Sequence, residues 1–177
     1  EVELIQLADT AMYYQKKRAP STVGVFSDVL GYKISRELKL KARLADAIEN
    51  EELRLVYQPI LNTKDQSVFA FEALLRWQLD GEAIVPDEFI CIAEQYGQIR
   101  KIGAWVLKES CLAARRWQLM TDTYNNVAVS VNVSIIQMQE EIFKDIVSEA
   151  LSESGLAADC LYIEITESIF ATDMEKL

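Results

Sequence analysis

Alternating apolar and polar positions mark three short strands in this chain, each with a polar ligand group on one of its two faces. In residues 69–77, period-two spacing puts Phe69, Phe71, Ala73, Leu75 and Trp77 on one side. Ala70, Glu72, Leu74 and Arg76 take the other. Residues 127–133 set four valines against Ala128, Ser130 and Asn132, and residues 161–166 set Leu161, Ile163 and Ile165 against Tyr162, Glu164 and Thr166. A strand covered by helices on one side normally fills its other side with apolar residues too. Glu72, Asn132 and Glu164 depart from that pattern, and together they predict half of a divalent-metal site.

Helical spacing predicts helices over residues 3–18, 32–50, 87–96, 98–120 and 135–154, with a short strand at 23–26. Strands at 53–60 and 68–77 are joined by a polar turn at 62–66, and so short a link implies an antiparallel hairpin. Pro86, Asp87 and Glu88 suit the first turn of the helix that follows. Beyond the hairpin, strands alternate with helices, which predicts an α/β fold with parallel strands. A closed (β/α)8 barrel takes ~250 residues, so residues 51–177 are expected to supply about its first half. A domain boundary falls near residues 28–45, and Trp77, Trp105 and Trp117 read as core.

Composition narrows the chemistry. The chain contains no histidine, which removes Ser-His and Cys-His nucleophile systems and most His-built zinc sites. Cys91, Cys111 and Cys160 form no C-x-x-C pair and read as small buried hydrophobes of a reducing compartment. Chemistry then rests on carboxylates, amides, Lys and Arg, which suits Mg²⁺ or Mn²⁺ held by oxygen. A net charge of −10 argues against a generic nucleic-acid binder. Lys16 to Arg18 and the Arg115–Arg116 pair read as solvated helix surface. No apolar run approaches the ~18 residues of a membrane span and no signal peptide opens the chain, so a cytoplasmic location is expected. The chain begins without Met inside a helical pattern, as a piece of a longer protein would, and other segments of that protein could tether it to a membrane.

Residues 71–77 contain Glu72, Ala73 and Leu74 followed by Leu75, Arg76 and Trp77, with Tyr57, Gln58, Pro59 and Ile60 upstream and the helix-opening run 85–97 downstream. Val-Asn-Val-Ser at 131–134 and Ile-Glu-Ile-Thr-Glu-Ser at 163–168 follow in order. In this combination the chain, from about residue 40 onward, resembles the EAL-domain family of cyclic di-GMP phosphodiesterases. The resemblance implies a modified TIM barrel whose first strand is antiparallel. It implies a two-metal Mg²⁺ or Mn²⁺ site to which Glu72, Asn132 and Glu164 contribute ligands. Arg76 would hold a substrate phosphate, Gln58 and Leu74 would touch the nucleotide, and Glu167 would steady a catalytic loop. Residues 7–18 are similar to the last helix of a GGDEF domain. That gives a GGDEF-like remnant at 1–27, a linker helix at 28–50 and the first half of an EAL domain at 51–177.

The implied activity is metal-dependent hydrolysis of cyclic di-GMP to linear pGpG; the alternatives are a silent cyclic di-GMP receptor and a regulatory or dimerisation module. The family's later motifs (an aspartate pair, a lysine, a glutamate and a glutamine) are not found in these residues. The chain alone is therefore expected to be inactive, and its open sheet edge to pair with another copy. Blander roles also exist. Glu72 could be an edge-strand glutamate, Asn132 could satisfy backbone groups, and Glu164 could pair with Arg76.

Overall fold

The computed structural model describes residues 27–120 and 122–165, together with Ala8 and Met12. The chain divides into two compact units, Glu1–Ala45 and Asp46–Leu177. In the first, helix α1 (Asp28–Leu44) begins where extended Ser27 accepts the Leu30 N–H on its hydroxyl at 3.2 Å. Lys41 and Arg43 lie in its last turn, against the negative end of the helix dipole. The helix is shorter than its sequence pattern, because residues 45–50 form turns.

The second unit opens with strands β1 (Leu53–Leu61) and β2 (Val68–Leu79), an antiparallel hairpin as expected. Its turn is held by the carboxylate of Asp65, which accepts both the backbone N–H and the hydroxyl of Ser67 at 3.0 and 2.6 Å. Strand β3 (Glu82–Ile84), absent from the sequence expectation, folds back on β2. The intervening Asp80 and Gly81 both take positive φ, 52° and 84°, so a two-residue reversal closes this second hairpin. Helices α2 (Pro86–Gln95) and α3 (Ile99–Met120) lead through a 3₁₀ turn to β4 (Ala128–Val133). Helices α4 (Ile135–Met138) and α5 (Phe143–Ser154) then precede β5 (Leu161–Ile165). The sheet runs β1-β2-β4-β5, antiparallel at its first pairing and parallel at the next two. That is the opening part of a modified TIM barrel.

One face of the sheet is buried under the helices. Val129, Val131 and Val133 are no more than 2% exposed, and each fully buried side chain of this size stabilises the fold by roughly 1.5–3 kcal/mol. Ile99, Ile102, Val106, Ser110 and Ala114 form the buried stripe of α3 at three- and four-residue spacing. Aromatic rings close the layers. Trp77 meets Phe89 of α2 edge-on at 5.6 Å, and Trp117 of α3 lies 4.7 Å from both Tyr57 and Phe71. Trp77 is core as expected, while Trp105 and Trp117 are half-buried.

Three sequence expectations need correction. Phe69 does not share a face with Phe71: the β1–β2 register shifts between Ile60 and Leu61, and the Phe69 ring lies 5.5 Å from Tyr162. A bulge inserts one unpaired residue and reverses the alternation there. The single helix over 135–154 is two, because α4 ends after one turn and residues 139–142 form a reversal. The cysteines are not uniformly buried. Cys111 is, and burial pushes its thiol up to about 11. Cys160 is half-buried, and Cys91 is exposed on the side of α2 opposite Phe89, Ile92 and Ala93. Apart from Ala8 and Met12, both helical, the predicted elements at 3–18 and 23–26 lie outside the described residues, as do Thr166 and Glu167. No helix among the described residues is long and apolar enough to cross a membrane.

Candidate active site

The face of the sheet turned away from the helices carries the polar residues, and strand register aligns them. Gln58 of β1 lies opposite Glu72 of β2, Glu72 opposite Ser130 of β4, and Ser130 opposite Tyr162 of β5. Two rungs further along, and so on the same face, Asn132 lies opposite Glu164. Residues facing one another across a ladder share a face. Four strands therefore bring Gln58, Glu72, Ser130, Asn132, Tyr162 and Glu164 to one surface.

Side chains link across that surface. The Asn132 carboxamide donates to Glu72 Oε1 at 2.7 Å, joining residues 60 positions apart. The Ser130 hydroxyl donates to Glu164 Oε1 at 2.5 Å, joining β4 to β5 through their side chains. The alternative pairing of Glu164 with Arg76 does not form among the described residues. Arg76 instead turns Nη1 to the carbonyl of its neighbour Leu75 at 2.8 Å, leaving further N–H donors on the same guanidinium.

Asn132 is the penultimate residue of β4 and Glu164 the penultimate residue of β5, so both sit at the C-terminal ends of parallel strands, where barrel sites assemble. Glu72 is mid-strand, but its ladder with β4 runs only from Ala70 to Ala73. It too stands near the end of the parallel pairing. A pocket of about 280 Å³ opens beside this level, between the ends of β2 and β4 and helices α2 and α3. Leu74, Arg76 and Asn132 line it, with Ile90, Glu94 and Ser134.

Sequence pattern missed the polar supports. Ser130 was visible on the polar face, but nothing local tied it to Glu164. Glu94 and Ser134, joined by a 2.6 Å bond from the serine hydroxyl, belong to a helix and a strand exit 40 residues apart. No local spacing signals that contact.

Two carboxylates and a carboxamide form the candidate ligand set, which suits a hard divalent cation better than a soft one. No three His, Cys, Asp or Glu side chains cluster as a metal site among the described residues. The donor chemistry of Glu72, Asn132 and Glu164 fits such a cation, for which the amide oxygen would supply the third donor.

Known proteins bear on this arrangement. The family model described as "EAL domain" matches residues 41–177. Signaling protein YkoW of Bacillus subtilis is 36% identical over 95% of this chain, and cyclic di-GMP phosphodiesterase NbdA of Pseudomonas aeruginosa is 31% identical over 98% of it. The match takes in 21% and 22% of those two proteins, so the chain spans about a fifth of their length. Among solved structures, the PaMucR phosphodiesterase in complex with c-di-GMP superposes with a TM-score of 0.69 at 33% identity, covering 77% of this chain and 55% of that one. With its antiparallel first strand and its match over residues 41–177, this chain belongs to the EAL-domain family.

Proposed function

We propose that this chain contributes part of the active site of a metal-dependent phosphodiesterase that opens cyclic di-GMP to linear pGpG. The observation that carries the proposal is the bond from Asn132 to Glu72, with Glu164 facing Asn132 across the next ladder. Three strands thereby offer oxygen donors from one surface. The phosphodiesterase relatives and the c-di-GMP complex of a similar structure support the substrate class.

In this proposal Glu72, Asn132 and Glu164 hold Mg²⁺ or Mn²⁺, one of two cations in the complete site. Such ions polarise a phosphate oxygen and lower the pKa of an attacking water. The remaining roles fall to the chain's own side chains. Arg76 holds a substrate phosphate through the N–H groups that Leu75 does not use. Gln58, opposite Glu72, and Leu74, on the pocket wall, orient the nucleotide. Ser130 keeps the Glu164 carboxylate aimed at the shared surface by bonding one of its oxygens. Glu167, outside the described residues, keeps the loop-steadying role that the family resemblance implies.

The test uses protein carrying the complete domain. Glu72→Ala abolishes Mg²⁺- or Mn²⁺-dependent hydrolysis, because no water replaces a charged ligand. Asn132→Ala weakens Mn²⁺ binding by less, since a neutral amide oxygen binds a hard cation less strongly. Unchanged turnover with unchanged Mn²⁺ affinity in Glu72→Ala overturns the assignment.

A further inference from the structure

The strand end that carries Asn132 lacks support on one side. The β2–β4 ladder stops at Ala73 and Val131, so the next residue, Asn132, is not paired to β2 through its backbone. Yet its carboxamide has to reach back to Glu72 on β2. Pairing with β5 continues to Val133 and fixes only the far side.

A chain of contacts from the helices that follow β2 takes over where the ladder ends. Ser134, two residues beyond Asn132 and only 7% exposed, donates its hydroxyl to Glu94 of α2 at 2.6 Å. Its backbone N–H goes to Gln137 Oε1 at 3.1 Å. Gln137 is 6% exposed and is seated against α3 at Gly103, where a Cβ would fall within 1.7 Å of its Nε2. Only a residue without a side chain admits Gln137 at that point. The exit of β4 is thus tied to α2 through a carboxylate and wedged against α3 through a notch.

We propose that Glu94 is a positioning residue for Asn132, acting through Ser134, and that it holds the carboxamide at the distance from Glu72 that a shared cation requires. The proposal rests on Asn132 being a metal ligand. In this role Glu94, which also lines the pocket beside Arg76, acts on Asn132 through Ser134 rather than on the metal. Its carboxylate is a strong acceptor for a buried hydroxyl, and the bond fixes the backbone two residues from the ligand. A glutamine at 94 retains an acceptor oxygen, whereas an alanine does not.

Nitrogen-edited NMR of the full chain reads the side-chain amide of Asn132 without metal. In the parent the Glu72 bond slows exchange with water of the one amide proton that it engages. Glu94→Ala and Ser134→Ala lose that protection, and Glu94→Gln keeps it. In protein carrying the complete domain, the Mn²⁺ dissociation constant measured by electron paramagnetic resonance rises about 10–100-fold in Glu94→Ala and Ser134→Ala, the range found when outer supports of metal ligands are removed. Glu94→Gln stays near the parent. If Glu94→Ala fails to fold, Ser134→Ala, which removes one hydroxyl, decides alone. An Asn132 amide that stays protected in Ser134→Ala, or a Glu94→Gln protein as impaired as Glu94→Ala, overturns the proposal. Mn²⁺ affinity unchanged by Asn132→Ala overturns the ligand assignment instead, since the amide resonance reports the positioning independently of metal.

Discussion

Gly103→Ala tests the notch on α3, and the structure gives opposite signs for it in two backgrounds. The three heavy atoms nearest an added Cβ are Nε2, Cδ and Oε1 of Gln137, at 1.7, 2.7 and 3.1 Å. All belong to the far end of one side chain, so Gln137 has to swing away. It then releases the Ser134 N–H from its 3.1 Å bond. A buried donor left without a partner costs about 1–3 kcal/mol. Against this, alanine is better than glycine in a helix interior by about 0.8–1 kcal/mol. The net expectation is a loss of about 1 kcal/mol. Urea denaturation followed by circular dichroism reads it as a midpoint lowered by roughly 0.5 M, for a slope of about 2 kcal/mol/M. In a Gln137→Ala background the clash is gone and only the propensity gain remains, so Gly103→Ala there stabilises by about 1 kcal/mol. The reasoning fails if Gly103→Ala alone raises the midpoint. It fails equally if the change costs as much with Gln137 truncated as with it present.

Two further outcomes follow from the site and the core. Arg76→Ala weakens cyclic di-GMP binding by about 1.5–3 kcal/mol, the worth of a hydrogen bond to a charged group, in calorimetry on an inactive background; parental affinity would leave Arg76 with only its Leu75 contact. Burial beneath Trp117 raises the Tyr57 phenol to about 12. Between pH 10 and 12 the folded chain therefore keeps a proton that the unfolded chain has lost. Stability is insensitive to this group well below pH 10 and falls as pH rises from 10 towards 12. Tyr57→Phe flattens that alkaline limb, and an unchanged limb in denaturant titrations at pH 10 to 12 would refute the assignment.

Period-two patterning sufficed for the strands that run regularly. The valines of β4 and the alternation around Glu72 placed both ligand candidates on the polar face, and the short turn at 62–66 fixed the antiparallel start. The pattern failed at Phe69, because a bulge is a property of two paired strands and the register of β1 is not written in β2. It also missed β3, three residues that pair only because Asp80 and Gly81 turn back. The break between α4 and α5 depends on Gln137 turning inward to Ser134 and Gly103, contacts set by tertiary packing rather than by propensity. At the site, local pattern singled out Glu72, Asn132 and Glu164, while the family resemblance supplied Gln58, Leu74 and Arg76. Their supports Ser130, Ser134 and Glu94 have partners in the three-dimensional fold that no local spacing specifies.

The reversed direction of β1 decides where the chain enters the barrel. Leu53 lies opposite Trp77 and Arg54 opposite Arg76, so the strand begins beside the end of β2 that carries the proposed phosphate contact. In an all-parallel barrel the first strand would begin at the opposite rim, a full strand length from the chemistry. Here Glu52 is fastened to that rim twice: its carboxylate accepts the Trp77 indole N–H at 3.0 Å, and its carbonyl accepts the Gln78 N–H at 3.0 Å. A twist or pull arriving along the backbone at residue 52 therefore reaches Arg76 across a single rung of sheet. The inlet of the second unit stands at the same rim as the proposed phosphate contact, one strand away from it.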